Sequence, residues 1–148
     1  MFVHSQGFHN VATKETGSND CLFRGDAPAS AHELYDARLT EKGIAQADML
    51  RGYLAQRPSG SRSFTAFDLV VVSPLTRTCE TALHVFGAPR EPGKPAFLTK
   101  KSAPEGTPEH AAGVTIAPPR FLVREECRER WGHYVCDGRR PIREIAEE

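Results

Sequence analysis

Residues 67–74 read Phe67-Asp68-Leu69-Val70-Val71-Val72-Ser73-Pro74. The apolar run is short, continuous and β-branched, and a proline closes it. Such a run predicts a strand buried on both faces, the pattern of a parallel α/β sheet. Ser73 followed by Pro74 predicts a helix start, with Ser73 as N-cap and proline at the first helical position. Leu75, Cys79, Ala82 and Phe86 then recur at helical spacing and form its core face. Gly87 stands where a C-cap glycine belongs, with Pro89 beyond it.

Upstream lies a second helix. Thr40 is its N-cap, and Ile44, Ala47, Leu50 and Leu54 form its apolar stripe. It is expected to run to about Arg57, where Pro58-Ser59-Gly60 stops it. The order helix, strand, helix predicts an α/β layered fold. Weaker strands are expected at Phe121-Leu122-Val123, at Val114-Thr115-Ile116, and at residues 2–4. Residues 14–30 and 87–113 read as loops, the second long enough for a lid or an insertion.

The 148 residues fit one domain. Hydrophobic residues make up 39% and charged residues 26%, enough apolar material for a core. Nineteen basic residues balance nineteen acidic ones. Global charge therefore gives no attraction to nucleic acid or anionic membrane, though a local cationic pocket stays compatible with it. No apolar run approaches the roughly 20 residues of a membrane span. Cys21, Cys79, Cys127 and Cys136 form no CxxC pair and no zinc pattern. Reduced thiols in a cytoplasmic protein are the expectation.

Four short segments carry the chemistry. They are His4-Ser5-Gln6-Gly7-Phe8-His9-Asn10, Leu39 to Ala47, Ser73 to Ala82, and Cys127-Arg128-Glu129-Arg130-Trp131-Gly132 followed by Cys136-Asp137. A histidine at a strand's end before a glycine loop suits a nucleophile at the carboxyl edge of a sheet. Together the segments resemble the phosphoglycerate-mutase-like histidine phosphatases. Residues 4–10 are similar to the branch with Gln-Gly-x-His-Asn. Residues 39–47 match Leu-Thr-x-x-Gly-x-x-Gln-Ala, and residues 73–82 match Ser-Pro-Leu-x-Arg-x-x-x-Thr-Ala. The fourth segment is similar to the branch with Arg-Glu-x-x-Gly followed by Cys-Asp.

The resemblance implies a three-layer phosphoglycerate-mutase-like α/β fold with a mostly parallel sheet, spanning residues 1–148 and incomplete at its C-terminal end. It also implies roles. His4 would attack phosphorus through a ring nitrogen and hold the phosphoryl group covalently. Its other nitrogen would donate to a carbonyl or carboxylate that fixes the tautomer. Arg77 would clamp phosphate oxygens. Asn10 would donate an amide hydrogen bond to phosphate, and Gly7 would let backbone amides approach it. Glu129 would protonate the leaving oxygen, with Glu125 and Glu126 as neighbouring alternatives. The other histidines, His9 among them, read as surface or satisfied groups. No cofactor and no metal is expected, because arginine, backbone amides and an acid supply the positive potential.

Two positions depart from the pattern. Val3 stands where the family motif has an arginine before the nucleophile, unless Arg24, Arg128 or Arg130 fills in. The family's second histidine, in a His-Gly pair, has no counterpart in the chain. The function expected is hydrolysis of small phosphomonoesters, with a phosphomutase next. The alternative is an impaired or truncated relative that binds phosphorylated ligands or proteins. Substrate identity and oligomeric state are not legible.

Overall fold

The computed structural model describes residues 4–23, 25–56, 67–87, 119–128, 133–141 and 143–144. Among the described residues, three helices and two strands order the chain. They are α1 (Phe8–Thr16), α2 (Glu41–Ala55), β1 (Leu69–Val72), α3 (Thr76–Phe86) and β2 (Arg120–Val123). Single 3-10 turns lie at Asp20–Leu22, Ala29–Ala31, Glu125–Cys127 and Val135–Asp137.

β1 and β2 pair in parallel, with Leu69 opposite Arg120 and Val72 opposite Val123. The α/β class and the parallel pairing expected from the sequence are thus borne out. The strand at Phe121-Leu122-Val123 is present, whereas Val114-Thr115-Ile116 and residues 1–3 lie outside the described residues.

The expected burial of β1 on both faces needs correction. Val72 is buried, and with Val70 and Phe121 it packs on Cys79 and Ala82 of α3. Leu69 and Val71, on the alternate face, are 46% and 49% exposed. Side chains alternate across a strand, so α3 covers only every second residue.

The start of α3 also differs from the expectation. Ser73 is not its N-cap; the helix begins at Thr76, and Leu75 occupies the cap position without a capping side chain. The cap comes from far away in sequence. Asp36 Oδ1 accepts the Thr76 N–H at 2.8 Å, and Asp36 Oδ2 accepts the Thr76 hydroxyl at 2.8 Å. A carboxylate there satisfies an otherwise orphaned donor and faces the positive end of the helix dipole. Asp36 reaches it from a left-handed backbone conformation, φ 49°, which Asp tolerates better than most residues.

α2 begins as expected. Thr40 Oγ1 accepts the Gly43 N–H at 3.0 Å. Of its stripe, Ala47 is fully buried, while Leu50 stays 45% exposed. α2 packs along α3. Arg51 donates to the carbonyls of His84 and Gly87 at the far end of α3, and Gly87 closes that helix.

α1 lies in a stretch with no helix expected over its first turns. Phe-His-Asn-Val-Ala-Thr-Lys-Glu-Thr is poor in strong helix formers. Its ends hold it instead. Asn10 Oδ1 accepts the Gly7 N–H at 2.9 Å, and Gly17 ends the helix in the left-handed conformation, φ 70°.

Candidate active site

His4 to Gly7 form a short extended segment gripped from two sides, and the two matched motifs supply the grips. On one side stands the 39–47 segment. Thr40 N–H donates to the Gln6 carbonyl at 2.9 Å, and Gln46 Oε1 accepts the Gln6 N–H at 3.0 Å. Gly43 lies so close that a Cβ there would meet the Gln6 carbonyl oxygen at 2.1 Å. Only glycine allows that approach. On the other side, Thr81 Oγ1 donates to the Arg77 carbonyl at 2.7 Å and accepts the Ser5 N–H at 3.2 Å. The threonine of the 73–82 segment therefore ties the turn carrying Arg77 to the residue after His4.

Glu80 adds a third tie. It is buried, and its carboxylate accepts from Arg38 Nε at 2.8 Å and from the Leu39 N–H at 2.9 Å. Leu39 forms a bridge with Gly7, and Phe8 N–H donates to the Arg38 carbonyl at 3.0 Å.

Within this frame, His4 Nδ1 lies 2.7 Å from the Ser5 carbonyl oxygen. A carbonyl only accepts, so Nδ1 carries the proton. Arg77 Nε lies 3.3 Å from His4 Nε2. A guanidinium only donates, so Nε2 presents its lone pair. Both neighbours demand the same tautomer, the one a nucleophilic imidazole needs.

Arg77 is buried, with its side chain 1% exposed. Its Nη1 donates to the Cys136 carbonyl at 2.6 Å and its Nη2 to Asp137 Oδ1 at 3.1 Å. The fork expected to clamp phosphate is held here by the turn Val135–Asp137. Asn10 uses its carbonyl oxygen on Gly7 and is otherwise exposed, leaving its NH2 group as the donor end. Gly7 spends its own amide on that bond. Its lack of a side chain matters for packing, because a Cβ would meet His9 Nδ1 at 2.7 Å. Glu129 lies outside the described residues, as do Val3, Arg24 and Arg130. Its neighbours Glu125 and Glu126 pair with Arg128 and Arg139, and with Arg124, respectively.

Sequence reasoning overlooked His9. It is 7% exposed, its ring centroid is 5.2 Å from that of His4, and its Nδ1 is buried without a hydrogen-bond partner. Burial first, then the charge of Arg77 and the nearness of His4, push its pKa down to about 3. His9 is therefore a neutral wall of the site. Asp137, Thr81, Glu80 and Asp36 also passed without a role. Thr81 and Glu80 lay inside a matched motif, and Asp137 inside the Cys136-Asp137 pair of the fourth segment; Asp36 carried no local signal.

Two other nucleophiles are disfavoured. Burial chiefly, then the charge of Asp36, pushes the Cys79 thiol up to about 12; burial and Asp137 do the same to Cys136. Thiols that high are inert near neutral pH. Among the described residues no three His, Cys, Asp or Glu side chains gather as a metal site.

The histidine phosphatase superfamily (branch 1) matches at residues 27–93. Those residues are a histidine phosphatase superfamily segment. The match contains Thr40, Gly43, Gln46, Arg77, Glu80 and Thr81, the residues that grip and face the His4 segment. Relatives extend the likeness across the chain. A phosphoglycerate mutase-like protein from Arabidopsis thaliana is 32% identical over 141 residues, covering 95% of this chain and 47% of the relative. Phosphoglycerate mutase-like protein 1 from the same plant is 32% identical, covering 94% of this chain and 45% of the relative. Phosphoglycerate mutase-like protein 2 is 34% identical over 90% of this chain. The chain spans about half the length of the first two relatives. No solved structure matches. Among the described residues no helix is long and apolar enough to cross a membrane.

Proposed function

We propose that the protein transfers the phosphoryl group of small phosphomonoesters through a phosphohistidine at His4, with water as the ordinary acceptor. The observation that carries this reading is the tautomer lock on His4, Nδ1 on the Ser5 carbonyl and Nε2 facing Arg77. His4 Nε2 attacks phosphorus as the bond to the leaving oxygen breaks. That oxygen takes a proton from an acid, the role the family resemblance gives Glu129. Water then breaks the N–P bond, releases inorganic phosphate and returns the lone pair to Nε2. A sugar or acid hydroxyl in place of water would make the same site a mutase.

Arg77 supports the charge that develops on phosphorus oxygens. It does so once phosphate oxygens replace the Asp137 carboxylate on its Nη2, an exchange of one anion for another on the same donor. Residues 1–148 then act as one domain, the histidine phosphatase part of the protein.

The competing reading is a phospholigand-binding relative without turnover. The specific observation behind it is the same fork, already bonded to Cys136 and Asp137 in a site lacking the motif arginine at Val3. Incubation with a ³²P-labelled ester followed by an alkaline quench separates the two. An acid-labile label on the wild type, absent from His4→Ala, supports transfer; ester binding with no label supports the binding module.

A further inference from the structure

A cavity of about 630 Å³ opens beside Asp137, lined by described residues between Phe23 and Tyr35, by Arg128, and by residues 133–139. Asp137 belongs both to its lining and to the Arg77 contact, so the wall is two hydrogen bonds from His4 Nε2. Two kinds of side chain dominate the rest. Phe23, Tyr35 and Tyr134 give it flat apolar surface, and Arg128 and Arg139 give it guanidinium donors.

The aromatic wall is built in advance of any ligand. Phe23 and Tyr134 meet at a tilt, with ring centroids 5.4 Å apart and planes at 54°. The Tyr35 hydroxyl donates to the Arg139 carbonyl at 2.8 Å. Gly138 makes room for the Tyr35 ring, since a Cβ there would meet it at 2.2 Å. Phe23 nevertheless stays 48% exposed, a large apolar ring facing an opening. Arg139 donates through Nε to Glu125 and through Nη1 to the Arg140 carbonyl, which leaves Nη2 engaged by neither. Its side chain is 27% exposed.

The volume lies within the range of pockets that take small organic ligands. Aromatic walls favour a planar ring, and a guanidinium beside them favours an anionic oxygen on that ring. We infer that this cavity is the leaving-group subsite, and that it selects phosphomonoesters of planar aromatic alcohols bearing a further carboxylate or comparable anionic oxygen. The ring lies against the exposed face of Phe23, with Tyr134 tilted across its edge, and the second anion meets Arg139. This deepens the phosphoryl-transfer reading and rests on it for the word leaving group; the subsite itself is testable without turnover.

Three esters with closely similar leaving alcohols isolate the features: cyclohexylmethyl, benzyl and 4-carboxybenzyl phosphate. The expected order of kcat/KM rises along that series, with about a threefold gain for the planar ring and about tenfold more for the carboxylate. Phe23→Ala should erase the first step and Arg139→Gln the second, with methyl phosphate turned over equally by all three proteins. Calorimetric titration with 4-carboxybenzylphosphonate and methylphosphonate reads the same subsite without chemistry. Tighter binding of the first, lost in Phe23→Ala and Arg139→Gln, is the result expected whether or not esters turn over. Equal binding of the two phosphonates overturns the subsite, even if His4 is phosphorylated. A selective phosphonate with no phosphohistidine from any ester overturns the transfer reading and leaves the subsite standing.

Discussion

Arg77 and Asp137 form a buried ion pair, Nη2 to Oδ1 at 3.1 Å, with side chains 1% and 7% exposed. The pair joins the first turn of α3 to the turn at Val135–Asp137 across 60 residues of sequence. It holds the guanidinium against His4 and ties the turn at Val135–Asp137 to the His4 segment.

Buried pairs are costly to break from one side, because the remaining charge stays desolvated. Arg77→Met is therefore expected to destabilise the fold by about 3–5 kcal/mol. Adding Asp137→Leu removes the stranded carboxylate and should recover a large part of that loss. Urea unfolding of the two single variants and the double variant measures this. A double variant that loses the sum of the singles would contradict the coupling.

Two glycines of α2 make opposite predictions. Gly43→Ala forces a Cβ into the Gln6 carbonyl, a 2.1 Å contact with backbone. It should destabilise by about 1–3 kcal/mol despite the better helix propensity of alanine, and it should loosen the His4 segment. Gly52→Ala meets nothing within 4 Å, so propensity alone acts, and stabilisation of about 0.4–1 kcal/mol is expected. Thermal melts of both variants check the pair; a stabilised Gly43→Ala would refute the close approach.

His9 predicts a pH dependence. Its folded pKa is lowered from the ordinary 6.5 to about 3, by burial first. Between those values the unfolded chain binds the proton and the folded chain does not. The contribution to stability is thus fully present above 6.5 and declines as pH falls toward about 3, by at most about 1.4 kcal/mol per pH unit. His9→Gln removes this term. Unfolding free energies at pH 7 and pH 5 should differ less in His9→Gln than in the wild type, and an equal difference would show that His9 takes up its proton in the fold.

Much of the scaffold was legible because its signals are local. The β-branched run of Leu69–Val72 announced a strand, and Thr40 announced the start of α2. The matched motifs were legible too, though their physical meaning was not. Thr81, Gly43 and Gln46 act on residues 37–76 positions away, gripping Ser5 and Gln6. The misreadings have the same origin. Ser73-Pro74 looked like a helix start because the true cap, Asp36, lies 40 residues earlier. α1 was missed because its stability sits in Asn10 and Gly17 at its ends rather than in an apolar stripe. His9 looked like an ordinary histidine because only the fold sets it against His4.

Under the proposed phosphoryl transfer, the lock on His4 selects which nitrogen reacts, and that is open to direct measurement. Nδ1 is committed to the Ser5 carbonyl and Nε2 faces Arg77, so the phosphoryl group should sit on Nε2. Phosphorus NMR on the alkali-quenched adduct, with peptide mapping, distinguishes the two phosphoramidates. A single Nε2-linked phosphohistidine at His4, absent from His4→Ala, is the expected result. An Nδ1-linked adduct, or phosphate retained on the His4→Ala chain, would contradict it.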